Sequence, residues 1–171
     1  MNDRKLLLVD DEPMLLELLK EEFEDLGIHC FTAENGFKAL DIIKRENLDA
    51  ILCDINMPGM DGLDLLIEMR RLQFETPLVF LTGHGEKDHA IRALRNGAFD
   101  FINKPYDRTQ LIETVTQALA LGVELRSFEK ELDELCAKVD PVSPQLQQYR
   151  EIQKFFLKNK KHIKVLNKRV G

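Results

Sequence analysis

After Lys5 the chain is apolar without a break through Leu6, Leu7, Leu8 and Val9, and the run stops at two acids, Asp10 and Asp11. A strand with one wet face alternates polar and apolar residues, whereas an uninterrupted run suits a strand covered on both faces, as in a parallel sheet. Pro13 stands where the first turn of a helix tolerates it, and Leu15, Leu16, Leu19, Phe23 and Leu26 then recur at helical spacing until Gly27. This is one strand and helix unit, and the pattern returns four times. Strands are predicted at 28–33, 50–53, 78–81 and 99–102, with helices near 37–45, 63–72 and 87–95 and another beginning near 107. Such alternation predicts an α/β fold, a doubly wound parallel sheet with helices on both faces. Sheets of this kind bind ligands outside the carboxyl ends of their strands.

At those ends the chain places chemistry. Asp10 and Asp11 close the first strand, Asp54 the third, Thr82 the fourth and Lys104 the fifth. Three carboxylates gathered in one crevice would repel one another unless a cation neutralised them. Hard oxygen ligands select Mg2+, with Mn2+ as its substitute, and Mg2+ takes one or two carboxylates while leaving places for water and a phosphate. A carboxylate can also accept a phosphoryl group covalently. Asp54 is the expected acceptor because it stands alone at a central strand end, while the Asp10 and Asp11 pair suits metal. The metal, Lys104 and the Thr82 hydroxyl would then neutralise and hydrogen-bond the phosphoryl oxygens. Residues 56–62 after Asp54 are turn chemistry throughout, leaving the Asn56 backbone carbonyl free to reach the metal.

These residues resemble the receiver domain of two-component response regulators, the CheY-like family, over roughly residues 4–121. The resemblance is carried by Val-Asp-Asp-Glu at 9–12, Asp-Ile-Asn-Met-Pro-Gly-Met-Asp-Gly at 54–62, Leu-Thr-Gly at 81–83, Gly-Ala-Phe-Asp-Phe at 97–101 and Lys-Pro at 104–105, in that order and spacing. It implies a flavodoxin-like five-stranded sheet of order 2-1-3-4-5, and phosphoryl transfer to Asp54 from a sensor histidine kinase or phosphotransfer protein. It implies that Asp11 binds Mg2+ directly and Asp10 largely through water, with Thr82 and Lys104 on the phosphoryl group. It also implies a switch in which Thr82 moves toward the phosphate and Phe101 turns inward behind it, and a cis bond between Lys104 and Pro105. Phe stands at 101 where the family more often has Tyr, so this switch would work by packing without a phenolic hydroxyl.

Plainer readings stand beside these. An acid at a strand end is often a helix cap, and Asp10 or Asp54 alone would be read so; the register with Thr82 and Lys104 favours a site. Phe101 also suits ordinary core packing. His84, two residues after Thr82, is either a solvated loop residue or one that affects access of water to the phosphate. Cys53 is expected to be a buried strand residue. Cys30, Cys53 and Cys136 lack disulfide or zinc spacing, and the four histidines lack metal-ligand spacing.

The last fifty residues diverge. Ala118, Leu121, Leu125, Phe128, Leu132, Leu135 and Val139 recur at alternating spacings of three and four, a coiled-coil seam on a fifth helix reaching Val139. The seam predicts a parallel homodimer or packing on a second helix of the chain, with Gly122 as a bend at the exit. Pro141 and Pro144 interrupt it at 140–144, and 145–168 form a basic amphipathic stripe. Residues 1–139 hold 16 Lys and Arg against 28 Asp and Glu, net −12, while 140–171 hold 8 against 2, net +6. The two parts suit different partners. The division expected is 1–121 receiver and 122–171 helical extension.

No apolar run reaches the roughly 20 residues of a membrane span, and no secretion signal precedes Asp10, so the cytoplasm is the expected compartment. The leading function is a phosphorelay response regulator, not an enzyme beyond its own phosphorylation and dephosphorylation, that switches dimerisation or the binding of a protein partner. The alternative is a transcriptional regulator whose basic tail binds DNA, less favoured because no helix-turn-helix of adequate length follows. A Mg2+-dependent phosphohydrolase is the third class.

Overall fold

The apolar runs form one parallel sheet in the order β2-β1-β3-β4-β5, with β1 at Lys5–Val9, β2 at His29–Ala33, β3 at Ala50–Asp54, β4 at Leu78–Thr82 and β5 at Asp100–Asn103. Between and after them lie α1 (Pro13–Glu24), α2 (Gly36–Arg45), α3 (Gly62–Arg71), α4 (Lys87–Arg95) and α5 (Arg108–Cys136). The structure is a computed structural model and describes residues 4–83 and 87–136. It divides into two compact units, Met1–Val123 and Glu124–Gly171.

Unbroken hydrophobicity in the strands follows from two separate cores. Side chains alternate across a strand, so Leu6 and Leu8 of β1, Ala50 and Leu52 of β3, and Val79 and Leu81 of β4 face one way, onto Leu16, Leu19 and Phe23 of α1 and Leu111, Val115 and Leu119 of α5. Their neighbours Leu7, Val9, Ile51, Cys53, Leu78 and Phe80 face the other way, onto Ala39 and Ile43 of α2, Leu65, Leu66 and Met69 of α3, and Ala93 of α4. Of the periodic stripe in α1, Leu16, Leu19 and Phe23 are buried and Leu15 packs against them, while Leu26 lies beyond the helix end and is exposed. Pro13 begins α1, and Gly27, at φ 72°, turns the chain back toward β2. Asn35 caps α2 by accepting from the Lys38 N–H at 2.9 Å, and Asp61 caps α3 by accepting from the Asp64 N–H at 2.7 Å.

α5 differs from the expectation in two respects. It is assigned as one helix through Gly122, and the glycine permits a close contact: a Cβ there would stand 1.7 Å from the main-chain oxygen of Asp49. The expected seam is also divided. Ala118 and Leu121 are buried within the first unit, whereas Phe128 in the second is exposed. A spacing of three and four marks an apolar stripe without saying what covers it. The side chains of Leu132 and Leu135, and Val139, the break at 140–144 and the basic stripe 145–168, lie outside the described residues.

Candidate functional site

Register brings the site together. Val9 pairs with Cys53 in the sheet, so Asp10 and Asp54 emerge side by side from the two central strands. Asp54 pairs with Leu81 and Thr82 with Asn103, which sets Thr82 one residue beyond Asp54 and Lys104 one residue beyond the end of β5. The Lys104 N–H donates to the Thr82 main-chain oxygen at 2.7 Å and holds the fifth strand's end to the fourth. The Lys104–Pro105 bond is cis.

Side chains complete the convergence. Lys104 Nζ lies 2.6 Å from Asp54 Oδ1 and 3.2 Å from Asp10 Oδ2, so one ammonium group bridges two carboxylates. The second oxygen of each acid is held by the turn it begins: Asp54 Oδ2 accepts from the Asn56 N–H at 2.6 Å, and Asp10 Oδ1 from the Glu12 N–H at 2.9 Å. Asp10 is not the cap of α1, whose N-cap is Glu12 without a side-chain cap hydrogen bond; its Oδ1 holds the turn that precedes the helix. Asp10 is 1% exposed, Asp54 7% and Thr82 1%. Thr82 Oγ1 donates to the Gly83 main-chain oxygen at 3.3 Å.

Burial pushes the Asp54 carboxyl above its ordinary range, against the hydrogen bond and charge of Lys104, while Asp10 pushes it further up. Burial pulls Lys104 down, but its bond to Asp54 and the charges of both acids leave it above the ordinary lysine range. The two directions agree physically: Asp54 lies deeper than Lys104 and loses more hydration, while Lys104 gains two anions. The two buried carboxylates, Asp10 and Asp54, are hard-oxygen donors of the kind that Mg2+ takes. Among the described residues no three His, Cys, Asp or Glu side chains are grouped so as to hold a metal ion by themselves.

Other expected residues fall as follows. Phe101 is half-buried and packs on the core beneath the α3 and α4 side of the sheet. His84 lies outside the described residues. Cys30 and Cys53 are free, buried thiols; burial pushes Cys30 up to about 12 and raises Cys53 likewise, so neither is a thiolate at neutral pH.

Sequence reasoning passed over the glycines that let the site close. A Cβ at Gly62, the first residue of α3, would stand 2.4 Å from the Asp54 main-chain oxygen and 2.9 Å from Phe80 Cε1. A glycine inside a helical pattern is the signal for such close approach. It also passed over Arg70, whose buried guanidinium donates to the main-chain oxygens of Phe74, Thr76 and Gly97, tying the loop before β4 to the turn before β5.

A five-stranded sheet of this order with a lysine spanning two buried strand-end aspartates defines a receiver. The model of the response regulator receiver domain matches residues 6–116, and the chain belongs to that family. Among curated proteins it is 39% identical over 114 residues to the transcriptional regulatory protein GlrR of Escherichia coli K12, which covers 67% of this chain and 26% of GlrR. It is 30% identical over 152 residues to the response regulator protein TodT of Pseudomonas putida, covering 86% of this chain and 66% of TodT. Among solved structures, a response regulator receiver domain from Clostridium thermocellum superposes with a TM-score of 0.65 at 31% identity, covering 68% of this chain and 94% of that one. Among the described residues no helix is long and apolar enough to cross a membrane.

Proposed function

We propose that the chain accepts a phosphoryl group on Asp54 from a sensor histidine kinase or phosphotransfer protein, in a Mg2+-dependent reaction in the cytoplasm, and passes the change to its helical extension. The observation that carries this is the bridge from Lys104 Nζ to Asp54 Oδ1 and Asp10 Oδ2, which joins three strand ends at one charged point. An Asp54 oxygen attacks phosphorus, the P–N bond of the donor phosphohistidine breaks, and the imidazole leaves with the electron pair. The Asn56 N–H holds the carboxylate in place during attack. Lys104 is placed to follow the negative charge as it moves from carboxylate to phosphoryl oxygens, and the Thr82 hydroxyl to donate to them. Asp10, Asp11, Asp54 and the Asn56 carbonyl would hold Mg2+, which when bound would neutralise charge on the transferring group. Thr82 and Phe101 form the switch behind it.

The output is a change in dimerisation, or in binding of a protein partner, through α5 and the extension beyond it. A second reading, transcriptional regulation through the basic tail, is favoured by the name of GlrR and by the net +6 of residues 140–171. Incubation with acetyl phosphate and Mg2+ tests the acceptor: intact mass should rise by one phosphoryl group, and the gain should vanish with EDTA or in Asp54→Asn. Incorporation that persists in Asp54→Asn at the wild-type level would remove Asp54 from its role.

A further inference from the structure

The loop that leads from Asp54 to α3 is seated on the first turn of α2, far from it in sequence. Gly36 opens α2, and a Cβ there would stand 2.6 Å from Met60 Cγ, 2.7 Å from the Met60 main-chain oxygen and 2.9 Å from Met60 Cβ. The main-chain contact matters most, because no rotamer change of Met60 relieves it. The next residue, Phe37, is 60% exposed, yet its ring reaches the same loop: a Cβ at Gly59 would lie 3.4 Å from Phe37 Cε2. A large aromatic left mostly in water gains little from burial, so its packing on Gly59 points to a task at the loop. At the loop's far end the Gly62 N–H donates to the Ile55 main-chain oxygen at 2.9 Å, which closes the loop onto its own first residue. Between those ends Met57 is buried in the core and Met60 packs against it, at the point where Gly36 meets the loop.

We propose that Gly36 and Phe37 are positioning residues for the acceptor loop: the missing side chain at 36 and the ring at 37 set the height of Met60 and Gly59, and through them the place of the Asn56 carbonyl and the Asp54 carboxylate. The inference rests on the reading of Asp54 as acceptor and of Asn56 as a metal ligand. It assigns α2 a part in the chemistry although none of its side chains belongs to the Lys104 bridge.

The test compares Gly36→Ala, Phe37→Ala and a control, Ile43→Val, which trims the buried face of α2 away from the loop. Mg2+ affinity is read by calorimetric titration with MgCl2 alone, the phosphorylation rate with acetyl phosphate at saturating Mg2+, and folding by thermal unfolding. In both loop-facing variants the Mg2+ Kd is expected to rise by about tenfold, as for residues that support metal ligands. The phosphorylation rate at saturating Mg2+ is expected to fall by about tenfold through misplacement. Ile43→Val is expected to lower Tm while keeping both values. Phe37→Ala carries the test should Gly36→Ala not fold, because a ring so exposed can be removed with little change in Tm. A Mg2+ Kd and rate unchanged in Phe37→Ala and in folded Gly36→Ala overturn the proposal, as does an equal loss in Ile43→Val. A wild-type chain that takes up no phosphoryl group refutes the acceptor reading instead, and the Mg2+ titration then decides the seat by itself.

Discussion

Replacing Lys104 with Met is expected to slow phosphorylation of Asp54 by about 10²–10³-fold, the usual effect of removing a preorganised group from developing charge. The same change should destabilise the fold in a pH-dependent way. Lys104 is the cation that spans Asp54 and Asp10, both nearly sealed from water. Without it two buried carboxylates face each other, and the expected loss at neutral pH without Mg2+ is about 1–3 kcal/mol. Burial already holds the Asp54 carboxyl above its ordinary range, and loss of the ammonium raises it further. A carboxyl whose folded pKa is raised favours the fold when protonated and weighs against it once ionised. The penalty in Lys104→Met should therefore be small near about pH 4 and grow toward about pH 7. Saturating Mg2+ should restore much of it, since the ion supplies the missing charge. Urea unfolding at several pH values, with and without Mg2+, reads all of this. A penalty that does not change with pH would show that Lys104 contributes packing rather than charge.

Phe80→Ala is expected to cost the fold about 3–5 kcal/mol, or roughly 10–15 °C in Tm for a domain of this size. Phe80 is fully buried in the middle of β4 and lies in the core between the sheet and α2, α3 and α4. Its ring also lies against Gly62, which in turn stands against the Asp54 main chain, so no side chain at 62 can swing in to fill the hole. The cavity would open directly beneath the acceptor loop. Thermal and urea unfolding of the variant measure the loss; a cost below about 1 kcal/mol would mean that the loop collapses into the space.

Much of this architecture can be read from the residues because parallel strands covered on both faces leave a plain mark. Leu6 to Val9 and Leu78 to Leu81 have no polar residue to place in water, and the structure divides each run between two cores. The strand-end residues were legible for a related reason: Asp10, Asp54 and Thr82 are each the first polar group after such a run, Lys104 follows Asn103 at the end of the fifth strand, and parallel pairing puts these groups on one edge. Asp10, Asp54 and Lys104 could thus be brought together without coordinates. What escaped the sequence depends on contacts between distant segments. Gly36 beneath Met60, Gly122 on Asp49 and Arg70 on Gly97 are each ordinary in their own windows, and only the packed fold shows what they touch. The start of the seam was misplaced for the same reason, since Ala118 and Leu121 are spent inside the receiver core.

One measurement bears on the account most directly. Borohydride reduces an acyl phosphate to the alcohol, so treating the phosphorylated chain leaves homoserine wherever an aspartate carried phosphate. Peptide mass mapping after treatment with acetyl phosphate, Mg2+ and then borohydride should find homoserine at position 54 and aspartate intact at 10 and 11. Homoserine at 10 or 11, or at no aspartate of a chain that binds Mg2+, would contradict it.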